Sequence, residues 1–88
     1  MRTLTLNDGT VLQNSYALLS DSLFVYVQQY GITLVSFFEL FCNPEKTAQI
    51  VYTQPNGENV TYTGYERLIS VRDEGNGLFT AVLKKVVV

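Results

Sequence analysis

The sequence predicts a small α+β domain in which a mainly antiparallel, curled sheet packs on one helix. Asp8-Gly9 and Asn56-Gly57 are dipeptides typical of tight hairpin turns, because both central residues adopt positive φ at low cost. Residues 23–30 are rich in β-branched and aromatic side chains, which is typical of a strand. One segment instead spaces its large apolar residues as an amphipathic helix does, at i, i+3, i+4 and i+7: Leu34, Phe37, Phe38 and Phe41.

The predicted order of elements is hairpin, strand, helix, hairpin, hairpin. Residues 3–13 form the first hairpin, and residues 16–19 either continue its second strand or make a separate short one. The other two hairpins turn at residues 55–57 and 73–77. Strands and helices do not alternate, which disfavours a parallel α/β sheet. Eighty-eight residues indicate a single domain over 1–88.

The helical segment is expected to be the structural centre of the domain. Thr33 is a candidate N-cap, and Ser36 with Glu39 is an alternative capping pair that would start the helix a turn later. Asn43-Pro44 ends the helix after about three turns and can itself begin one short helical turn. The four apolar residues are expected to face the core, and strand 23–30, apolar on both faces, is expected to be packed on both sides.

Charge argues against two classes of partner. Six Lys and Arg residues stand against eight Asp and Glu, which gives a net charge of −2, and the longest basic run is Lys84-Lys85. Binding to nucleic acid or to an anionic membrane normally needs a cationic surface. We therefore predict neither a nucleic-acid partner nor a membrane partner.

The residue types that carry most enzyme chemistry are scarce. The chain has no histidine, which removes the commonest general base and the commonest zinc ligand. The single cysteine, Cys42, follows the predicted helix at its negative end, which disfavours a thiolate. We expect it to be a partly buried packing residue. The prediction is therefore a protein that is not an enzyme, with no catalytic residue, no cofactor and no metal.

The setting predicted is the cytoplasm. One cysteine cannot form an intramolecular disulfide, the start of the sequence lacks the apolar core of a signal peptide, and no apolar run reaches the roughly 18 residues of a membrane span.

Tyrosines and the apolar tail are the features from which we predict an interaction surface. Tyrosine is enriched in protein interfaces, although ordinary cross-strand packing would also account for any single one. The tail after Lys85 is apolar, and an exposed terminal strand tends to pair within the fold or with a neighbouring subunit. The predicted interaction residues are Tyr30, Tyr62, Tyr65, Val86 and Val88.

Several segments together resemble small, uncharacterised proteins encoded in prophage-like elements of Firmicutes. The resemblance lies in residues 6–11, 23–27, 43–47, 62–65 and 73–75, and it rests on turn and strand patterns. It implies a phage-derived accessory or virion-assembly protein and transfers no active site.

The function predicted is thus a non-enzymatic, phage-derived structural or protein-interaction module. It would bind a phage or host protein or self-associate through strand edges, most concretely through residues 82–88. The alternatives are a module that binds a small ligand or peptide in a groove between helix and sheet, and an inhibitor of a host protein.

Overall fold

The computed structural model describes residues 2–86, and in this range eight strands form two four-stranded antiparallel sheets. The strands are β1 (Thr3–Leu6), β2 (Val11–Gln13), β3 (Ser15–Leu19), β4 (Leu23–Gln28), β5 (Gln49–Thr53), β6 (Asn59–Thr63), β7 (Arg67–Gly75) and β8 (Leu78–Lys84). The helices are α1 (Leu34–Phe41) and α2 (Pro44–Thr47). The first sheet has the order β2-β1-β5-β6 and the second the order β3-β4-β8-β7. The predicted α+β class with antiparallel pairing is confirmed, but the strands are divided between two sheets where the sequence predicts one curled sheet.

The predicted hairpin turns are present, but in the first two only the glycine adopts positive φ, and Asp8 and Asn56 do not. Gly9 adopts φ 92° and its N–H donates to the Leu6 carbonyl at 3.0 Å, which closes the turn between β1 and β2. Residues 16–19 lie in a separate strand, β3, which pairs with β4 in the second sheet. Asn14, at φ 50°, lies where the chain passes from β2 to β3 and so from one sheet to the other.

β7 is longer than predicted. It extends to Gly75 and pairs with β8 through two register shifts, between Leu68 and Ser70 and between Asp73 and Gly75. Asp73 and Glu74, which the sequence assigned to the turn, therefore lie in a bulged strand.

α1 begins where Thr33 predicts and is shorter than expected. The Thr33 hydroxyl accepts a hydrogen bond from the Ser36 N–H at 3.1 Å, and the Ser36 hydroxyl accepts one from the Thr33 N–H at 3.0 Å. The later start with Ser36 and Glu39 is wrong, because Ser36 lies in the first turn. α1 has eight residues, about two turns instead of three. Asn43 then caps α2 through its side chain, with Pro44 at the first position, as predicted.

Only half of the apolar helix stripe reaches the core. Phe37 and Phe41 are fully buried, and the Phe37 ring lies 5.3 Å from that of Phe79 in β8. Leu34 and Phe38 are 41% and 45% exposed, so their predicted burial is wrong. A helix of two turns inserts one i, i+4 row between the sheets, and the neighbouring row faces solvent.

The core between the sheets consists of inward-facing strand residues and these two phenylalanines. The buried apolar residues are Leu4, Leu6, Leu12, Ala17, Leu23, Val25, Val27, Phe37, Phe41, Ile50, Phe79, Ala81 and Leu83. β4 contributes Leu23, Val25 and Val27 from one face, whereas Phe24 and Tyr26 on its other face are only half-buried. β4 is thus central in the sheet but covered on one side, and the prediction that both sides are packed is wrong.

The last strand is interior. β8 lies between β4 and β7, and Val82 is opposite Phe24 on one side and Ser70 on the other. Self-association through residues 82–88 in the predicted form is therefore wrong for 82–84, because both edges of the strand are already paired. The N–H of Val86 donates to the Gly64 carbonyl at 2.9 Å, so Val86 pairs within the fold. Val88 lies outside the described residues.

Candidate interaction surface

The second sheet has one face on the core and one face open, which we call the outer face. Because side chains alternate along a strand, the residues between the buried ones point to this side. α1 inserts Phe37 and Phe41 on the opposite side, so neither described helix covers the outer face. Its members are Tyr16, Leu18, Phe24, Tyr26, Gln28, Ser70, Arg72, Glu74, Leu78, Thr80, Val82 and Lys84.

Two rows of directly opposed residues cross the outer face. In the tyrosine row, Tyr16 is opposite Tyr26, Tyr26 opposite Thr80, and Thr80 opposite Arg72. In the apolar row, Leu18 is opposite Phe24, and Phe24 is opposite Val82. Leu18, at the end of the apolar row, is 55% exposed. The two rows form a continuous aromatic and aliphatic patch across strands that are distant in sequence.

The tyrosine row contains a stacked pair. The rings of Tyr16 and Tyr26 lie 4.6 Å apart at 16° to one another. The Arg2 guanidinium lies 5.0 Å from the centre of the Tyr16 ring, which is the range of a cation–π contact. Each group restricts the rotamers of the next, so the stack is held in place before any partner binds.

Cations outnumber anions around the patch. Among residues 2–86, Arg2, Arg72 and Lys84 lie on or beside the outer face, and the one carboxylate on it, Glu74, lies 3.8 Å from the Arg72 guanidinium. The chain as a whole has a net charge of −2. The charge distribution is therefore asymmetric, with the outer face more positive than the rest of the protein.

Two shallow depressions lie on this surface. One, of about 190 Å³, is lined by Arg2, Asn14, Tyr16, Tyr26, Gln28 and Leu78. The other, of about 250 Å³, lies over Phe24, Thr80 and Val82 and reaches Arg72 and Glu74. Both are smaller than the roughly 300–1,000 Å³ of typical small-molecule sites.

The tyrosines that the sequence predicted as interaction residues lie elsewhere. Tyr30 is 79% exposed and lies against Gly77 in the turn between β7 and β8. Tyr62 and Tyr65 are half-buried against the core, with their rings 6.3 Å apart in an edge-on arrangement. Burial raises the pKa of the Tyr62 hydroxyl, with a smaller contribution from Tyr52 and Tyr65 nearby. Their role as interaction residues stays a prediction, as does that of Val86, which is 45% exposed.

Groups suited to metal binding do not converge in the described part of the chain. Within residues 2–86 no three Asp, Glu or Cys side chains lie close enough to hold a metal ion. Cys42 is exposed, which corrects the expectation that it is partly buried, and its Sγ donates to the Glu39 carbonyl at 3.7 Å. No helix in this range is long and apolar enough to cross a membrane.

Sequence reasoning missed Tyr16, Phe24 and Arg2 as members of a surface. The available signal was strand 23–28, whose two faces are both apolar. Such a strand is predicted to be buried on both sides, although one covered face and one interacting face give the same pattern. The pairing of Tyr16 with Tyr26 and the approach of Arg2 depend on register and on the first sheet, which the sequence does not specify.

Comparison of the chain with family models, with curated proteins and with solved structures finds no match.

Proposed function

We propose that this protein is a non-enzymatic protein-interaction module that binds its partner through the outer face of the second sheet. The observation that carries the proposal is the stack of Arg2, Tyr16 and Tyr26 beside an exposed apolar row on a sheet face that no described helix covers. Tyrosine and arginine dominate the binding energy of many protein interfaces. A rigid stack of these groups also loses little side-chain entropy on binding.

The charge of the outer face indicates the chemistry of the partner. Among the described residues, Arg2, Arg72 and Lys84 lie on or beside this face, and Glu74, next to Arg72, is its one carboxylate. A partner that presents an apolar side chain flanked by Asp or Glu would match both the patch and its rim. The proposed partner is therefore an acidic protein segment.

Two other ligand classes fit the geometry less well. A small molecule would need a deeper cavity than the depressions of about 190 and 250 Å³ provide. Single-stranded nucleic acid binds by stacking bases on open aromatic faces. Tyr16 has one ring face against Tyr26 and Arg2 over its ring, so little open face is left for a base.

The setting of this role is part of the proposal. The resemblance of the chain to prophage-encoded proteins supports a virion-assembly or accessory role in the cytoplasm of a bacterial host. Flanking genes for capsid, tail or lysis proteins would support that setting, and a neighbourhood of ordinary metabolic genes would contradict it.

A peptide selection that uses this protein as the target tests the proposal. A displayed library of peptides of about 12 residues is suitable, since about five extended residues at about 3.3 Å each cross four strands about 4.8 Å apart, and the remaining residues can reach the charged rim. We expect the selected peptides to combine apolar residues with Asp or Glu. Their addition to the ¹⁵N-labelled protein should shift the amide resonances of Tyr16, Leu18, Phe24 and Tyr26.

Matched variants locate the binding. Tyr26→Thr together with Leu18→Thr places β-branched residues, which suit a strand, at both positions and should weaken peptide binding by about tenfold or more. Tyr30→Thr removes an exposed tyrosine away from the patch and should leave binding unchanged. The proposal would be contradicted if the variant with both Tyr26→Thr and Leu18→Thr bound the peptides as tightly as the unmodified protein does. Amide shifts centred on Tyr62 and Tyr65 would also contradict it. An oligothymidine that bound the outer face more tightly than the peptides would assign it to nucleic acid instead.

A further inference from the structure

The four edge strands of the two sheets differ in how well they are protected. The edges are β2 and β6 in the first sheet and β3 and β7 in the second. An edge strand presents unpaired N–H and C=O groups to which another chain can add, and proteins normally block such edges.

Three of the edges carry features that hinder the addition of another strand. On β2, the N–H of Gln13 donates to the Gln29 side chain at 2.9 Å. On β3, the N–H of Ser15 donates to the Arg2 carbonyl at 3.0 Å. Ala17 in the same strand is buried, so another chain cannot reach its backbone. β7 is distorted by two register shifts and carries four charged residues: Arg67, Arg72, Asp73 and Glu74.

β6 has none of these devices. It is a regular five-residue strand without charge, proline or register shift, Asn59-Val-Thr-Tyr-Thr63. The N–H of Gln54 donates to the Glu58 carbonyl at 2.8 Å, and the N–H of Gly64 donates to the Ala48 carbonyl at 3.2 Å. The backbone N–H and C=O groups of the even-numbered residues in β6 therefore point to β5. The backbone groups of Asn59, Thr61 and Thr63 therefore point away from the sheet. All three residues are exposed, and within residues 2–86 no hydrogen bond reaches their N–H or C=O groups.

We infer that β6 pairs with β6 of a second copy of this chain, antiparallel and around a twofold axis at Thr61. In this register Thr61 is opposite its own counterpart, and Asn59 of one copy is opposite Thr63 of the other. These three pairs satisfy the outward backbone groups with about six hydrogen bonds. The two first sheets then join into one continuous sheet of eight strands.

The sequence of β6 is self-complementary in this register. Val60 of one copy comes opposite Tyr62 of the other, twice, and pairs of aromatic with β-branched residues stabilise antiparallel sheets. Thr61 opposite Thr61 is a second favourable pair, and within β6 no like charges meet. These features argue for a second copy as the occupant over an unrelated strand.

Charges beside the strand agree with the same register. Glu58 comes opposite Gly64 of the second copy, and within each copy the Lys85 side chain lies beside Gly64. Each end of the new pairing therefore brings one carboxylate near one ammonium group. This inference is independent of the proposed function, because β6 belongs to the first sheet and the outer face to the second.

Sedimentation velocity from about 1 μM to about 500 μM tests the association. We expect a reversible change from the 9.9 kDa monomer to a dimer. Thr61→Pro removes an outward N–H that makes no described hydrogen bond within the fold, and it should weaken dimerisation by about tenfold or more. Val11→Pro is the matched control, since the Val11 N–H also points out of an edge strand, β2, and it should leave dimerisation unchanged.

Charge exchange and nuclear Overhauser contacts test the register. Lys85→Glu should weaken the dimer, and Lys85→Glu with Glu58→Lys should restore it. In a mixture of labelled and unlabelled protein, the α-protons of Val60 and Tyr62 should show intermolecular contacts, because such pairs bring Cα atoms to about 4.5 Å. A monomer at every concentration, a dimer unaffected by Thr61→Pro, or intermolecular contacts that exclude β6 would each overturn the inference.

Discussion

The ring of Tyr16 in β3 stacks on that of Tyr26 in β4, with 4.6 Å between their centres and 16° between their planes. The two residues are directly opposite in the register of the strands, and the Arg2 guanidinium lies over the Tyr16 ring, 5.0 Å from its centre. This contact stabilises the sheet and at the same time shapes the proposed binding surface.

The stack should therefore appear as a coupling energy. In a double-mutant cycle with Tyr16→Thr and Tyr26→Thr, the free energies of unfolding should be non-additive by about 0.5–1.5 kcal/mol. Urea unfolding of the four proteins measures this energy. Tyr26→Thr combined with Tyr30→Thr serves as the control cycle and should be additive, since no contact joins those rings among the described aromatic pairs. If both cycles were additive, the contact between the two rings would add nothing to the free energy of unfolding beyond the area that each ring buries by itself.

The two rows of α1 should differ sharply in their effect on stability. Phe37→Ala should lower the free energy of unfolding by about 3–5 kcal/mol, because it leaves a cavity beside Phe41 and Phe79. Phe38 is 45% exposed, so Phe38→Ala should lower the free energy of unfolding by well below half of that amount. If Phe37→Ala leaves too little folded protein, Phe37→Leu provides the milder comparison. Equal losses at Phe37 and Phe38 would contradict this assignment of the helix faces.

The start of α1 depends on the hydroxyl of Thr33. Thr33→Ala removes the acceptor for the Ser36 N–H and should lower the free energy of unfolding by about 1 kcal/mol. Thr33→Ser keeps the oxygen and should be nearly neutral, so the pair of variants separates capping from packing. A similar loss in both variants would show that the methyl group of Thr33, and not its hydroxyl, stabilises the helix.

The turn between β1 and β2 should contribute to acid sensitivity through Asp8. A hydrogen bond from the Thr10 N–H at 3.0 Å, assisted by Lys46 at 3.3 Å, lowers the pKa of Asp8 from 3.8. A carboxyl whose pKa is lower in the folded state stabilises the fold above its unfolded pKa. That stabilisation is lost as the pH falls from 3.8 through the lower folded value.

A carboxyl titration followed by NMR should accordingly give Asp8 a midpoint below 3.8. Lys46→Met should raise the midpoint only in part, because the Thr10 N–H is the larger cause. Asp8→Asn should reduce the loss of stability in acid. A midpoint at or above 3.8 would contradict the hydrogen bond and the ion pair together.

Local sequence signals determined the elements of this protein. Gly9 and Gly57 specify turns because few residues adopt positive φ as cheaply as glycine, and Thr33 and Asn43 cap helices through atoms a few residues away. These are short-range effects, so the hairpins, the helix start and the α+β class are predictable from neighbouring residues alone.

The tertiary structure alone decided which of these elements cover one another. Phe37 and Phe38 are chemically identical, and Leu23 and Phe24 are both apolar, yet in each pair only the first is buried. The second residues face solvent because two sheets and a short helix leave one side of β4 and one side of α1 without a packing partner. The approach of Arg2 to Tyr16 and the open edge of β6 arise in the same way. They depend on strand order and register, which are set by contacts between residues far apart in the chain.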